Sequence, residues 1–198
     1  ENIPMALLAD VQYTIIENIV PIALVLSDYS LFRINLADNT VSIHRLLLRI
    51  LDDLWENTAT REAHLKQVAE ILTKRLQYNI RIKSEVSFAK SITSHSLHLI
   101  EMLPSSLLLE QANLLRQLGY HYQYTGEYRA FQQCSERALL LHENHYGQDH
   151  PEVAITLYSL SNAYEALGNI EGNQQRLERA LMINERHYGK DHITAASI

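Results

Sequence analysis

From about residue 111 onward, apolar positions fall at steps of three and four. Ala154, Leu157, Leu160, Ala163, Tyr164 and Leu167 share one face at helical spacing. Gly168 follows where a permissive backbone is needed for a turn. A second helical face runs through Leu177, Ala180, Leu181 and Asn184 towards Tyr188, and Gly189 ends it. Pro151 suits the first turn of a helix, with Asp149 or His150 ahead of it as cap. The unit therefore reads as two helices joined by a short turn.

This unit is repeated. His145-Tyr-Gly-Gln-Asp-His150 recurs as His187-Tyr-Gly-Lys-Asp-His192, a period of 187 − 145 = 42 residues. The same shift carries Leu115 to Leu157, Tyr122 to Tyr164, Gly126 to Gly168 and Ala138-Leu139 to Ala180-Leu181. Aligning 111–152 with 153–194 gives 17 identities in 42 positions, far beyond what shared helical composition supplies. A further shift towards the N-terminus puts Leu76, Ile80, Ser84 and Ser96-Leu97 on framework positions without the turn glycine. The helices between Thr60 and Leu103 thus read as a degenerate repeat or a capping pair. Pro104-Ser-Ser marks a break and restart.

The first fifty residues have a different texture. Leu31-Phe-Arg-Ile-Asn35 and Thr40-Val-Ser-Ile43 are β-leaning runs separated by the turn signal Ala37-Asp-Asn39, which predicts a hairpin. Apolar helical segments precede it, Pro21 to Tyr29, and follow it, His44 to Trp55.

Two resemblances rest on these residues. The string Tyr146-Gly-Gln-Asp-His-Pro-Glu-Val-Ala154, with Thr156-Leu, Ala163-Tyr, Leu167-Gly, Leu177-Glu-Arg-Ala-Leu and Ile183-Asn-Glu-Arg, resembles the 42-residue tetratricopeptide repeat of kinesin light chains and of repeat-bearing signalling ATPases. It departs from that family where Phe131 and Asn173 replace a small residue early in the second helix. Ile3-Pro4, Ala23 to Leu31 and Val41-Ser-Ile-His-Arg-Leu46 resemble the winged-helix end of the NB-ARC module of STAND signalling ATPases. The second resemblance implies that His44 contacts the β-phosphate of ADP in a full-length protein. The family's commonest next residue is Asp, and here it is Arg45.

The fold expected is all-α: an α-solenoid of tetratricopeptide hairpins with a small winged-helix-like segment containing a β-hairpin. The expected division is 1–56 winged-helix-like, 57–103 linking or capping helices, and 104–198 repeats. Residue 1 is Glu, so the chain reads as a piece of a longer protein, and the last residues read as the start of a further repeat.

Composition narrows the chemistry. A net charge of −6 argues against a surface built for phosphate backbones, so no nucleic-acid partner is expected. The apolar run from Ile19 to Leu26 is interrupted by Pro21 and is too short to span a membrane. One cysteine, Cys134, allows no internal disulfide and fits a cytoplasmic setting. No phosphate-binding loop occurs among the six glycines, so no enzyme activity and no cofactor are expected in this segment, although an upstream ATPase would bind ADP or ATP. Of the ten histidines, His145, His150, His187 and His192 recur with the repeat and read as framework. His95, His98 and Glu101 have metal-compatible helical spacing but lack a complete ligand set.

Function is therefore expected in binding. The resemblance implies a groove lined by first helices: Asn113, Arg116, Tyr120, Gln123 and Tyr124, then Ile155, Tyr158, Asn162, Glu165 and Ala166. Tyr, Arg and Asn are residue types that protein interfaces favour. The expected role is the partner-binding region of a STAND-type ATPase lying in cis, taking a protein or peptide ligand. The alternatives are a stand-alone adaptor of the kinesin-light-chain kind and a winged-helix DNA-binding regulator.

Overall fold

The computed structural model describes residues 2–4, 32–35, 37, 40–43, 58–78 and 82–189. Three short strands, β1 (Asn2–Pro4), β2 (Phe32–Asn35) and β3 (Thr40–Ile43), form an antiparallel sheet in the order β1-β3-β2. Phe32 pairs with Ile43 and Asn35 with Thr40 across β2 and β3. The Asn35 Oδ1 accepts the Ala37 N–H at 3.1 Å, so the side chain that closes the strand also organises the turn. β1 lies beside the second of the helices that follow. The segments 21–29 and 44–55, read above as flanking helices, fall outside the described residues.

Among the described residues six helices follow: α1 (Thr58–Arg75), α2 (Lys83–Met102), α3 (Leu108–Thr125), α4 (Tyr128–Tyr146), α5 (Pro151–Ala166) and α6 (Ile170–Tyr188). A single 3-10 turn, Ser105–Leu107, leads into α3 after Pro104. α3 packs on α4, α4 on α5 and α5 on α6, while α1 and α2 both pack on α3. Each hairpin buries one stripe against its own partner and one against the next hairpin. One apolar core runs from Ala69 and Leu72 through Ile92, Leu114, Leu118 and Phe131 to Ala163. A second, formed by Val153, Ala154, Leu157, Ala180 and Ile183, continues it.

The turns explain the repeated glycines. Gly126 and Gly168 close α3 and α5 with φ of 79° and 75°, the left-handed conformation that costs a side chain. Of the two candidate caps before Pro151, His150 does the work: its Nδ1 accepts the Glu152 N–H at 3.2 Å.

The second helices are tied across successive repeats by a recurring ion pair. Arg137 reaches Glu101 at 2.9 Å, and Arg179 reaches Glu143 at 2.6 Å. Both partners are displaced by the repeat length, 179 − 137 = 143 − 101 = 42. Glu101 on α2 thus stands, at the repeat spacing, where Glu143 stands on α4.

Some apolar positions differ from the pattern. Leu167, read on the buried face of its helix, is 38% exposed, because α5 ends at Ala166 and the next residue turns outward as its cap. Leu181 is 36% exposed, whereas Leu139 in the preceding repeat packs on the second core. Phe131, the departure from the family pattern, is fully buried. Gly119 makes room for it: a Cβ there would lie 3.3 Å from the Phe131 ring. The next repeat has Ser161 and Asn173 at these two positions.

Candidate functional site

The first helices α1, α3 and α5 lie side by side and make one wall of the array. Specific polar contacts join them. Lys66 Nζ meets Glu110 at 3.1 Å between α1 and α3. Arg116 Nη1 meets Glu152 at 2.7 Å between α3 and α5, and Arg116 Nη2 donates to Asn113 Oδ1 at 3.2 Å. The Ser159 hydroxyl gives its hydrogen to the Ile155 carbonyl at 3.2 Å, so at 2.9 Å the Tyr120 hydroxyl donates to Ser159 Oγ. Arg116 and Tyr120 are thus committed to holding α3 against α5.

The remaining groove positions divide by exposure. Tyr124 is 55% exposed, Ile155 44% and Tyr158 39%, with Glu165 and Ala166 also exposed, while Gln123 and Asn162 are half-buried. Tyr124 meets the Tyr78 ring edge-on, with centroids 6.3 Å apart. The wall therefore presents tyrosines, an isoleucine and Glu165 over half-buried amides, with Arg116 paired to Glu152 beside them.

α1 adds residues that the sequence reading did not include. A cleft of about 170 Å³ between α1 and α3 is lined by Glu70, Thr73, Lys74, Gln77, Glu110 and Asn113. Lys74 and Tyr78 stand 42 positions before Arg116 and Tyr120, so the repeat shift that located α3 would have located them. Tyr78 hydrogen-bonds the buried His121 Nδ1 at 2.8 Å. Burial pushes the His121 pKa down and that of the Tyr78 hydroxyl up, which keeps this pair neutral.

Behind the wall lies His142, fully buried between α4 and α5. Thr156 Oγ1 donates to the Glu152 carbonyl at 3.0 Å, so it accepts from His142 Nδ1–H at 2.8 Å. That fixes the proton on Nδ1 and leaves Nε2, which has no hydrogen-bond partner, as a bare lone pair. Burial, reinforced by the neighbouring Arg116 charge, lowers the His142 pKa to about 4.

The other candidates are placed as follows. His44 lies outside the described residues. Glu101, read with His95 and His98 as metal-compatible, is engaged by Arg137. Among the described residues no group of three or more His, Cys, Asp or Glu side chains is arranged to hold a metal. Cys134 is buried and its thiol is pushed up to about 11, so it is protonated at neutral pH. No helix among the described residues is long and apolar enough to cross a membrane.

The paired, glycine-turned hairpins stacked at a 42-residue period define a helical-repeat protein. Residues 110–186, which run from α3 into α6, match the model of the tetratricopeptide repeat family. Among solved structures, the chain is similar to the crystal structure of BtubC (BKLC) from P. vanneervenii, with 16% identity and a TM-score of 0.49. That similarity covers 74% of this chain, which spans 56% of the other chain's length. No curated protein matches the sequence. Tetratricopeptide repeats generally mediate protein–protein interaction.

Proposed function

We propose that this chain binds a protein or peptide partner along the wall of first helices, with Tyr124, Ile155, Tyr158, Asn162 and Glu165 as contacts and Arg116, Tyr120, Asn113 and Gln123 shaping the floor. The observation that carries this reading is the exposure of Tyr124, Ile155 and Tyr158 on the wall, while the arginine and tyrosine beneath them are spent joining α3 to α5. Rigid aromatics offer contact area at low entropic cost, and half-buried amides suit a peptide backbone. In this reading the segment is a binding module without catalysis or cofactor. A peptide selected against the chain is expected to slow amide hydrogen exchange on α3 and α5. Protection confined to α4 and α6 would overturn the assignment.

The finer reading places the module behind a STAND-type ATPase. It is supported by the winged-helix-like motif and by the small three-stranded sheet. His44 would then sense the ADP β-phosphate in the full-length protein, where a helix start adds attraction for the anion. Replacing His44 by Ala in that protein should weaken ADP retention and leave the fold of the repeats unchanged. Equal ADP retention by both would remove His44 from the site.

A further inference from the structure

One difference between the two repeats on the face built by the second helices is Cys134 in the first against Arg176 in the second. In the second repeat the Arg176 guanidinium lies over the Tyr164 ring, 5.5 Å from its centroid, and Arg176 Nη1 is 3.4 Å from Gln175 Oε1. In the first repeat the equivalent residues are Cys134, Tyr122 and Gln133, each 42 positions earlier. Where the arginine would be, there is a cavity of about 360 Å³, lined by Leu97, Tyr122, Ala130, Gln133, Cys134, Glu136 and Arg137. The short cysteine side chain leaves open the space that a guanidinium fills one repeat later.

The cavity keeps the features that hold Arg176. It has the tyrosine, the glutamine amide, and an apolar side formed by Leu97 and Ala130 that suits the methylenes of a long basic side chain. Its charge balance favours a cation. Arg137 is neutralised by Glu101 at 2.9 Å, while Glu136 is fixed at the rim by Gln132 at 2.8 Å and the Tyr164 hydroxyl at 3.1 Å. Glu136 thus contributes a negative charge that no basic side chain offsets in these contacts, on a chain of net charge −6.

We infer that this cavity is a docking site for an arginine side chain of a basic partner segment, which inserts over Tyr122 as Arg176 lies over Tyr164. The ring face attracts the cation, Gln133 accepts a hydrogen bond from the guanidinium, and Glu136 supplies the opposing charge. The site is separate from the wall of first helices and would let one partner grip both sides of a repeat or two partners bind at once.

The test is a titration of the full chain with the capped tripeptide acetyl-Ala-Arg-Ala-amide, read from the ring resonances of Tyr122 and Tyr164. The Tyr122 resonances are expected to move most, and those of Tyr164, whose ring is already covered by Arg176 and which meets the site only through its hydroxyl on Glu136, to move much less. The citrulline counterpart, of the same shape without the charge, is expected to move neither. Cys134→Arg, which supplies the missing side chain internally, should weaken peptide binding about tenfold or more. The inference is overturned if neither ring responds, if both respond equally, if citrulline binds as well as arginine, or if a folded Cys134→Arg chain binds undiminished. The comparison of the two rings in the unaltered chain holds even where that substitution disturbs folding.

Discussion

His142 is the residue whose chemistry most directly links packing to solution conditions. Its pKa falls from the ordinary 6.5 to about 4 in the folded chain, so below pH 6.5 the unfolded chain binds the proton more readily. Stability from this group is complete above 6.5 and is lost as pH falls towards 4, by about 3 kcal/mol over the full range. His121, lowered in the same direction by burial, adds to the loss. The next repeat has Asn184 at the matching position, also buried. Thermal melts at pH 7.5 and 4.5 should therefore show a smaller acid shift for His142→Asn than for the parent. An equal shift would assign the acid sensitivity elsewhere. The recurrence of His145 and His187 was visible in the sequence. The burial of His142 was not, because it comes from Thr156 on the facing helix. Gly119 was missed for the same reason: its value lies in the room it leaves for Phe131, a partner 12 residues away on another helix.

At the scale of an element, the legible features were those with a local cause. The helix ends could be read from Gly126, Gly168 and Pro151, since backbone conformation is set by the residue that adopts it. Gly147 is the sharpest case. It follows α4 with φ 85° and ψ 168°, a conformation essentially confined to glycine. Gly147→Ala should cost about 1–3 kcal/mol, measured by urea unfolding. A neutral result would mean that the chain can leave α4 by another path. Less legible was the status of α1 and α2, which share few identities with later repeats. The Arg137–Glu101 and Arg179–Glu143 pairs put Glu101 of α2 in register with Glu143, although an ion pair as exposed as Arg137–Glu101 adds little stability. Arg137→Ala is expected to change unfolding free energy by under about 1 kcal/mol.

Across the whole molecule, stacking sets both stability and site. Leu160 is 1% exposed and Ala180 is fully buried at the helix contacts, so Leu160→Asp or Ala180→Asp should unfold the array, seen as loss of helical circular dichroism. The wall formed by α3 and α5 was legible from the repeat period. The roles within it were not, because whether Arg116 and Tyr120 face a partner or a neighbouring helix depends on Glu152 and Ser159 across the interface. Arg116→Ala is accordingly expected to loosen α3 from α5 and to weaken binding indirectly.

The wall of first helices is tested most directly by the affinity of a peptide, selected against the parent chain, for two folded variants. Tyr158→Ala removes a side chain of the wall that is 39% exposed, and Leu140→Ser removes a more accessible one, 59% exposed, from a second helix. The account predicts that Tyr158→Ala weakens binding by about 1–2 kcal/mol and that Leu140→Ser leaves it unchanged. Undiminished binding to Tyr158→Ala with loss in Leu140→Ser would contradict it.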